Sequence, residues 1–69
     1  MKISARNILS GTVVSVTKGV TTAHVVLEIT PGLRVTASIT NEAVDDLGLA
    51  AGKPAKAVIK SSDVLVAVD

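Results

Sequence analysis

The residues that could do chemistry in this chain are short hydroxyls set beside cations. Ser4-Ala5-Arg6-Asn7 precedes the first apolar run, Ser38-Ile39-Thr40-Asn41 ends the third, and Lys60-Ser61-Ser62 stands at the last turn. None of these segments contains Asp or Glu. Hydroxyl donors, backbone N–H groups and one or two cations are the equipment of an oxyanion site. A helix starting near Thr40 would add oriented N–H donors, whereas a carboxylate would repel a dianion. Ser, Thr and Asn also populate turns for backbone reasons alone. Composition by itself therefore leaves both an anion site and plain turn chemistry open.

Other chemistries find less support. The one histidine, His24, shares the polar face of a strand with Glu28, roughly 13 Å along it, too far for a hydrogen-bonded catalytic pair. It reads as a surface or interface histidine. Asp45-Asp46 is an adjacent pair on a helix, so its members point apart and form a solvated face. A chain with no Cys has no disulfide or thiolate metal site, and a single His excludes a centre built on several imidazoles. With no Phe, Tyr or Trp there is no stacking platform for single-stranded nucleic acid, and a net charge of +1 is a weak footprint for DNA or RNA. No stretch approaches the roughly 20 apolar residues of a membrane span. The N-terminus lacks the apolar core of a secretion signal, so a cytoplasmic location is expected.

The elements that must position these residues are mostly strands. Sixty-nine residues make one domain, 1–69. A domain this small is marginal alone, and without disulfides, a structural metal or aromatic bulk it is expected to gain stability by self-association. Asn7 to Thr17 is apolar on both parities, the mark of a strand buried on both faces; its second face is expected to meet another subunit. Gly11 within it suggests a bulge or a close backbone approach. Thr22 to Thr30 alternates, with Ala23, Val25, Leu27 and Ile29 facing one way. Pro31-Gly32 is a turn, and Leu33 to Thr40 alternates again with Leu33, Val35, Ala37 and Ile39 inward, completing a hairpin. Thr40 or Asn41 caps a short helix, Val44 and Leu47 face the core, Gly48 ends it and Leu49 packs beneath. Ala55 to Lys60 and Asp63 to Val68 read as two more strands. The tally is all-β: a five-stranded, OB-like Greek-key barrel with one short helix between strands three and four.

In this order the motifs resemble the Mop domain, the small molybdate-binding module of the molbindins. The resemblance rests on Ser4-Ala5-Arg6-Asn7 followed by Leu9, Gly11 and Val13, then Ser38-Ile39-Thr40, Leu47-Gly48-Leu49, Gly52-Lys53 and Ala57-Val58-Ile59-Lys60-Ser61-Ser62-Asp63-Val64. It covers nearly the whole chain. The opening and the late elements are specific together and weak apart.

The resemblance implies an OB-like barrel assembled as a homohexamer, a trimer of dimers. Molybdate or tungstate would bind at subunit interfaces, for storage or homeostasis of intracellular molybdenum. It implies an oxyanion pocket of Ser4, Ala5, Arg6, Thr40, Lys60, Ser61 and Ser62. A second class of site is expected near a symmetry axis, with Lys18, Gly19 and Val20 as candidates, since a glycine turn can aim N–H groups at an anion. No bare metal cation, catalytic residue, nucleic acid or membrane is implied. Two other readings remain beside it: an OB-fold structural module whose hydroxyl-rich ends are only turns, and a single-stranded nucleic-acid binder. Full oligomer stability without an anion response would mark the first, and a salt-sensitive shift of a labelled oligonucleotide the second.

Overall fold

The structure, a computed structural model, describes residues 1–69. Four strands, β1 (Asn7–Lys18), β2 (Thr22–Thr30), β3 (Leu33–Thr40) and β4 (Pro54–Ile59), form one antiparallel sheet in the order β3-β2-β1-β4. One helix, α1 (Asn41–Leu47), links β3 to β4.

The β2–β3 hairpin is the part that alternation describes best. Its register pairs Ala23 with Ile39, Val25 with Ala37 and Leu27 with Val35, so apolar partners share one face. Gly32 turns the chain at φ +85, a conformation that favours glycine. Ala23, Val25 and Leu27, with Val13 of β1 and Val44 of α1, are the five buried residues, and they form the core. Gly11 is a point of close approach: a Cβ there would stand 2.4 Å from the Glu28 carbonyl oxygen. The irregularity in the ladder falls instead between Val13 and Ser15.

The helix starts and stops on its caps. The Thr40 hydroxyl accepts a hydrogen bond from the Ala43 N–H at 3.0 Å, and Gly48 closes the helix at φ +63. The Gly48 and Leu49 amides donate to the Asp45 and Val44 carbonyls, both at 3.1 Å, the bonding of a Schellman end. Leu49 packs against the core as that motif requires.

The structure corrects three expectations. The sheet has four strands, not five, and does not close into a barrel: after Ile59 the chain makes a 3₁₀ turn, Ser61–Asp63, and residues 64–69 form no ladder. Five apolar residues in a row describe a strand that wants burial on both faces, but a ladder also needs a free edge within reach. Leu33 and Leu47, expected inward, are 53% and 69% exposed. Alternation and helical spacing say which side of an element is apolar, and here nothing covers those positions. Finally, Asp45 is not simply solvated, because it accepts a hydrogen bond from Lys18 Nζ at 2.6 Å.

Candidate oxyanion site

The β1–β4 ladder brings two sequence-distant segments together. Asn7 pairs with Ile59 at the end of this ladder, and the Asn7 Nδ2 donates to the Ile59 carbonyl at 3.3 Å. Ser4-Ala5-Arg6 leads into that end and Lys60-Ser61-Ser62 leads out of it. The basic and hydroxyl residues of both segments thus flank one edge of the sheet, and all but the half-buried Ala5 are exposed. The chain forms two ion pairs, Lys18–Asp45 and Arg34–Glu28, and neither Arg6 nor Lys60 takes part in them. Two unpaired cations beside three hydroxyls make a donor-rich, acceptor-poor surface. Asp63 is the last residue of the adjoining 3₁₀ turn, whose first backbone bond runs from the Asp63 N–H to the Lys60 carbonyl at 2.9 Å.

Thr40 is not part of this group. It pairs with Thr22 at the far end of the β2–β3 ladder, next to the point where β1 ends at Lys18. The 12 residues of β1 separate the two ends by roughly 36 Å of strand path. Within one chain, the register thus sets Thr40 and Lys60 at opposite ends of β1. The Thr40 hydroxyl oxygen is occupied as the helix cap, which leaves the hydroxyl hydrogen free to donate.

The residues considered for a second site cluster around Thr40 instead. Lys18 is held by Asp45. The Gly19 N–H donates to the Thr22 carbonyl at 2.8 Å. The carbonyls of Gly19 and Val20 accept from Asn41 Nδ2 at 2.9 and 3.3 Å. Asn41 Oδ1 is buried without a partner, an acceptor where a dianion would need donors. His24 is exposed between Thr17 and Ser38, and no group of three or more His, Cys, Asp or Glu side chains stands ready to hold a cation. No helix is long and apolar enough to cross a membrane.

The model of the TOBE domain matches residues 3–66. The chain belongs to the TOBE-domain family. Molybdenum-pterin-binding protein 3 of Clostridium pasteurianum is 53% identical over 66 residues, which are 96% of this chain and 97% of that one. The solved structure of MopII from the same organism, in an apo form, superposes with a TM-score of 0.90 at 48% identity, covering 97% of this chain and all of that one. The cytoplasmic molybdate-binding protein ModG, solved with molybdate bound, superposes with a TM-score of 0.90 at 46% identity; this chain covers 46% of its length. The Mop resemblance of the sequence therefore holds over nearly the whole TOBE domain, and the molybdenum proteins of similar length share its curled sheet and single helix.

Alternation and turn residues could not reveal that the TOBE domain divides its candidate site residues between two ends of one strand. That division follows from the register of β1 with β4 and of β2 with β3, which links residues far apart in sequence. The signal that could have anticipated it is the length of the first apolar run, 12 residues as a strand, which holds its two flanks apart.

Proposed function

We propose that this chain binds molybdate, with tungstate as an alternative ligand, and holds it in the cytoplasm for molybdenum storage and homeostasis. The observation that carries the proposal is the junction of Ser4-Ala5-Arg6 with Lys60-Ser61-Ser62 at the Asn7–Ile59 pair, where two cations stand free of carboxylate partners. A relative of the same fold was solved with molybdate bound. Lys60 supplies compact positive charge and Arg6 a planar set of donors. Ser4, Ser61 and Ser62 supply hydroxyls, and the backbone at Ala5 supplies an N–H. Bonds to a charged group contribute about 1.5–3 kcal/mol each, so three or four, less the cost of association, reach micromolar affinity near −8 kcal/mol. The anion undergoes no reaction, and the site needs no catalytic residue. The names of several relatives add a pterin. This chain has no aromatic ring on which a pterin would stack, so the oxyanion is the ligand proposed.

The site is completed at an interface between copies, in a homohexamer built as a trimer of dimers. The placement of Thr40 and Lys60 at opposite ends of β1 supports this: two copies can bring one end of each chain to a shared pocket. Cations from two subunits facing one cavity repel each other when it is empty, so the anion stabilises the assembly by mass action. Selectivity over sulfate comes from the size of a rigid cavity, because charge and shape are shared. Native mass spectrometry with molybdate and then sulfate at equal concentration tests the proposal. A hexamer that takes up several molybdates and little sulfate is expected, with a thermal midpoint that rises on adding molybdate. A monomer, or an oligomer indifferent to molybdate, would overturn it.

A further inference from the structure

A net charge of +1 hides how this chain sorts its charges. Lys18 and Arg34 are held in ion pairs, while Lys2, Arg6, Lys53, Lys56 and Lys60 have no carboxylate partner. Arg6 and Lys60 belong to the candidate site. Lys56 does not, yet the fold sets it on the same surface.

The placement follows from the β1–β4 ladder. Asn7 pairs with Ile59, Ile8 with Val58, Leu9 with Ala57 and Ser10 with Lys56. Burial alternates along both segments and continues past the last pair. Arg6, Ile8, Ser10, Lys56, Val58 and Lys60 are exposed, and the residues between them are half-buried. Side chains two apart on a strand share a face. The exposed face therefore carries Ser10 beside Lys56, then Ile8 beside Val58, then Arg6 and Lys60 one step beyond the paired rows.

On these two strands the cations of that face meet no acid, since neither β1 nor β4 contains Asp or Glu. Glu28, opposite Thr12 on the neighbouring strand, is held by Arg34 at 3.2 Å. Asp63 lies past Lys60 along the chain, at the end of the 3₁₀ turn. Lys56 is four residues before Lys60, roughly 13 Å along the strand, outside the hydrogen-bonding shell of an anion held at the junction. Between them Ile8 and Val58, 40% and 41% exposed, offer no donor that would stop the anion short of the site. Their apolar surface also concentrates the field of the cations around it.

We propose that Lys56 is a steering residue, which draws the anion onto this face and passes it across Ile8 and Val58 to Arg6 and Lys60. The inference rests on the molybdate reading of the junction. It adds that capture and holding are divided between different cations. A charge about 10 Å from a dianion is felt where the Debye length is about 30 Å, at about 0.01 M salt, and is screened where that length is about 3 Å, at about 1 M. Such a charge speeds encounter without adding a bond to the bound state.

Amide line shapes across a molybdate titration of the isotope-labelled full-length chain, read by nuclear magnetic resonance, give kon and koff separately, and the same spectra check the fold of each variant. At about 0.01 M salt, Lys56→Gln is expected to lower kon about threefold and Lys56→Glu about tenfold, with koff unchanged. At about 1 M salt both differences should disappear. Lys56→Arg keeps the charge and should keep the wild-type kon. Lys53→Gln removes the same net charge at a position roughly 23 Å of chain path from Lys60, and should change kon by less than about 1.5-fold. The proposal fails if Lys56→Gln leaves kon unchanged at low salt, or if Lys53→Gln slows capture as much, which would make the effect one of net charge alone. It fails as well if koff rises in place of a fall in kon, since Lys56 would then be a ligand of the bound anion. A wild-type chain that takes up no molybdate would sink the ligand assignment and this inference with it; normal uptake with an indifferent Lys56 sinks this inference alone.

Discussion

At the Asn7 end of β1, Arg6 and Lys60 stand outside every ion pair of the chain, beside the hydroxyls of Ser4, Ser61 and Ser62. At the Lys18 end the cation is held by Asp45, the Gly19 amide is committed to Thr22, and Asn41 holds the turn carbonyls. Both ends offer a lysine, small hydroxyl residues and a tight turn, and in sequence they look alike. What separates them is whether donors are left over once the fold has taken its share. A dianion is recruited by free donors rather than by basic residues as such, and an exposed lysine with a carboxylate at 2.6 Å is already answered.

The sharpest way to break the comparison is to disturb the strand that connects the two ends. Gly11→Ala sets a methyl group 2.4 Å from the Glu28 carbonyl, backbone that cannot step aside. We expect a loss of about 3 kcal/mol and a thermal midpoint lower by roughly 10–20 °C, read by circular dichroism. Next in size is Lys60→Ala, which removes a charge-assisted bond and is expected to weaken molybdate binding about 10- to 100-fold in isothermal titration, with the fold intact. At the opposite end Thr40→Ala removes the helix cap and is expected to cost about 1 kcal/mol of stability in urea titration; Thr40→Ser retains it. The smallest effect is expected from Lys18→Ala. An exposed pair contributes little, so stability should move by no more than about 0.5 kcal/mol and molybdate affinity by less than twofold. A loss of binding there as large as in Lys60→Ala would erase the distinction between the two ends.

How far the sequence could be read depended on whether each signal named its own partner. Pro31-Gly32 between two alternating runs does so, because a hairpin pairs neighbours, and the observed register of Leu27 with Val35 follows. Thr40 and Gly48 do so as well, since caps act within one turn of the helix. Leu33, Leu47 and Val64–Val68 do not. Their apolarity states a need for cover without saying what supplies it, and within one chain nothing does. The candidate site was legible as a set of residue types but not as an arrangement. The pairing of Asn7 with Ile59 and the capture of Lys18 by Asp45 are long-range events that no local pattern encodes.

The ladder that joins Asn7 to Ile59 also places the site in time. The two residues are 52 apart in sequence, a far longer loop to close than the β2–β3 hairpin, whose turn is Pro31-Gly32. Contacts between distant residues carry a larger entropic cost before they are rewarded, and they form slowly. The hairpin and helix can therefore assemble while Arg6 and Lys60 still belong to separate, diffusing segments. Only when β4 docks on β1 do the two cations become neighbours. Competence to hold an anion is, on this ordering, among the last properties the chain acquires as it folds, and the first it surrenders when β4 frays.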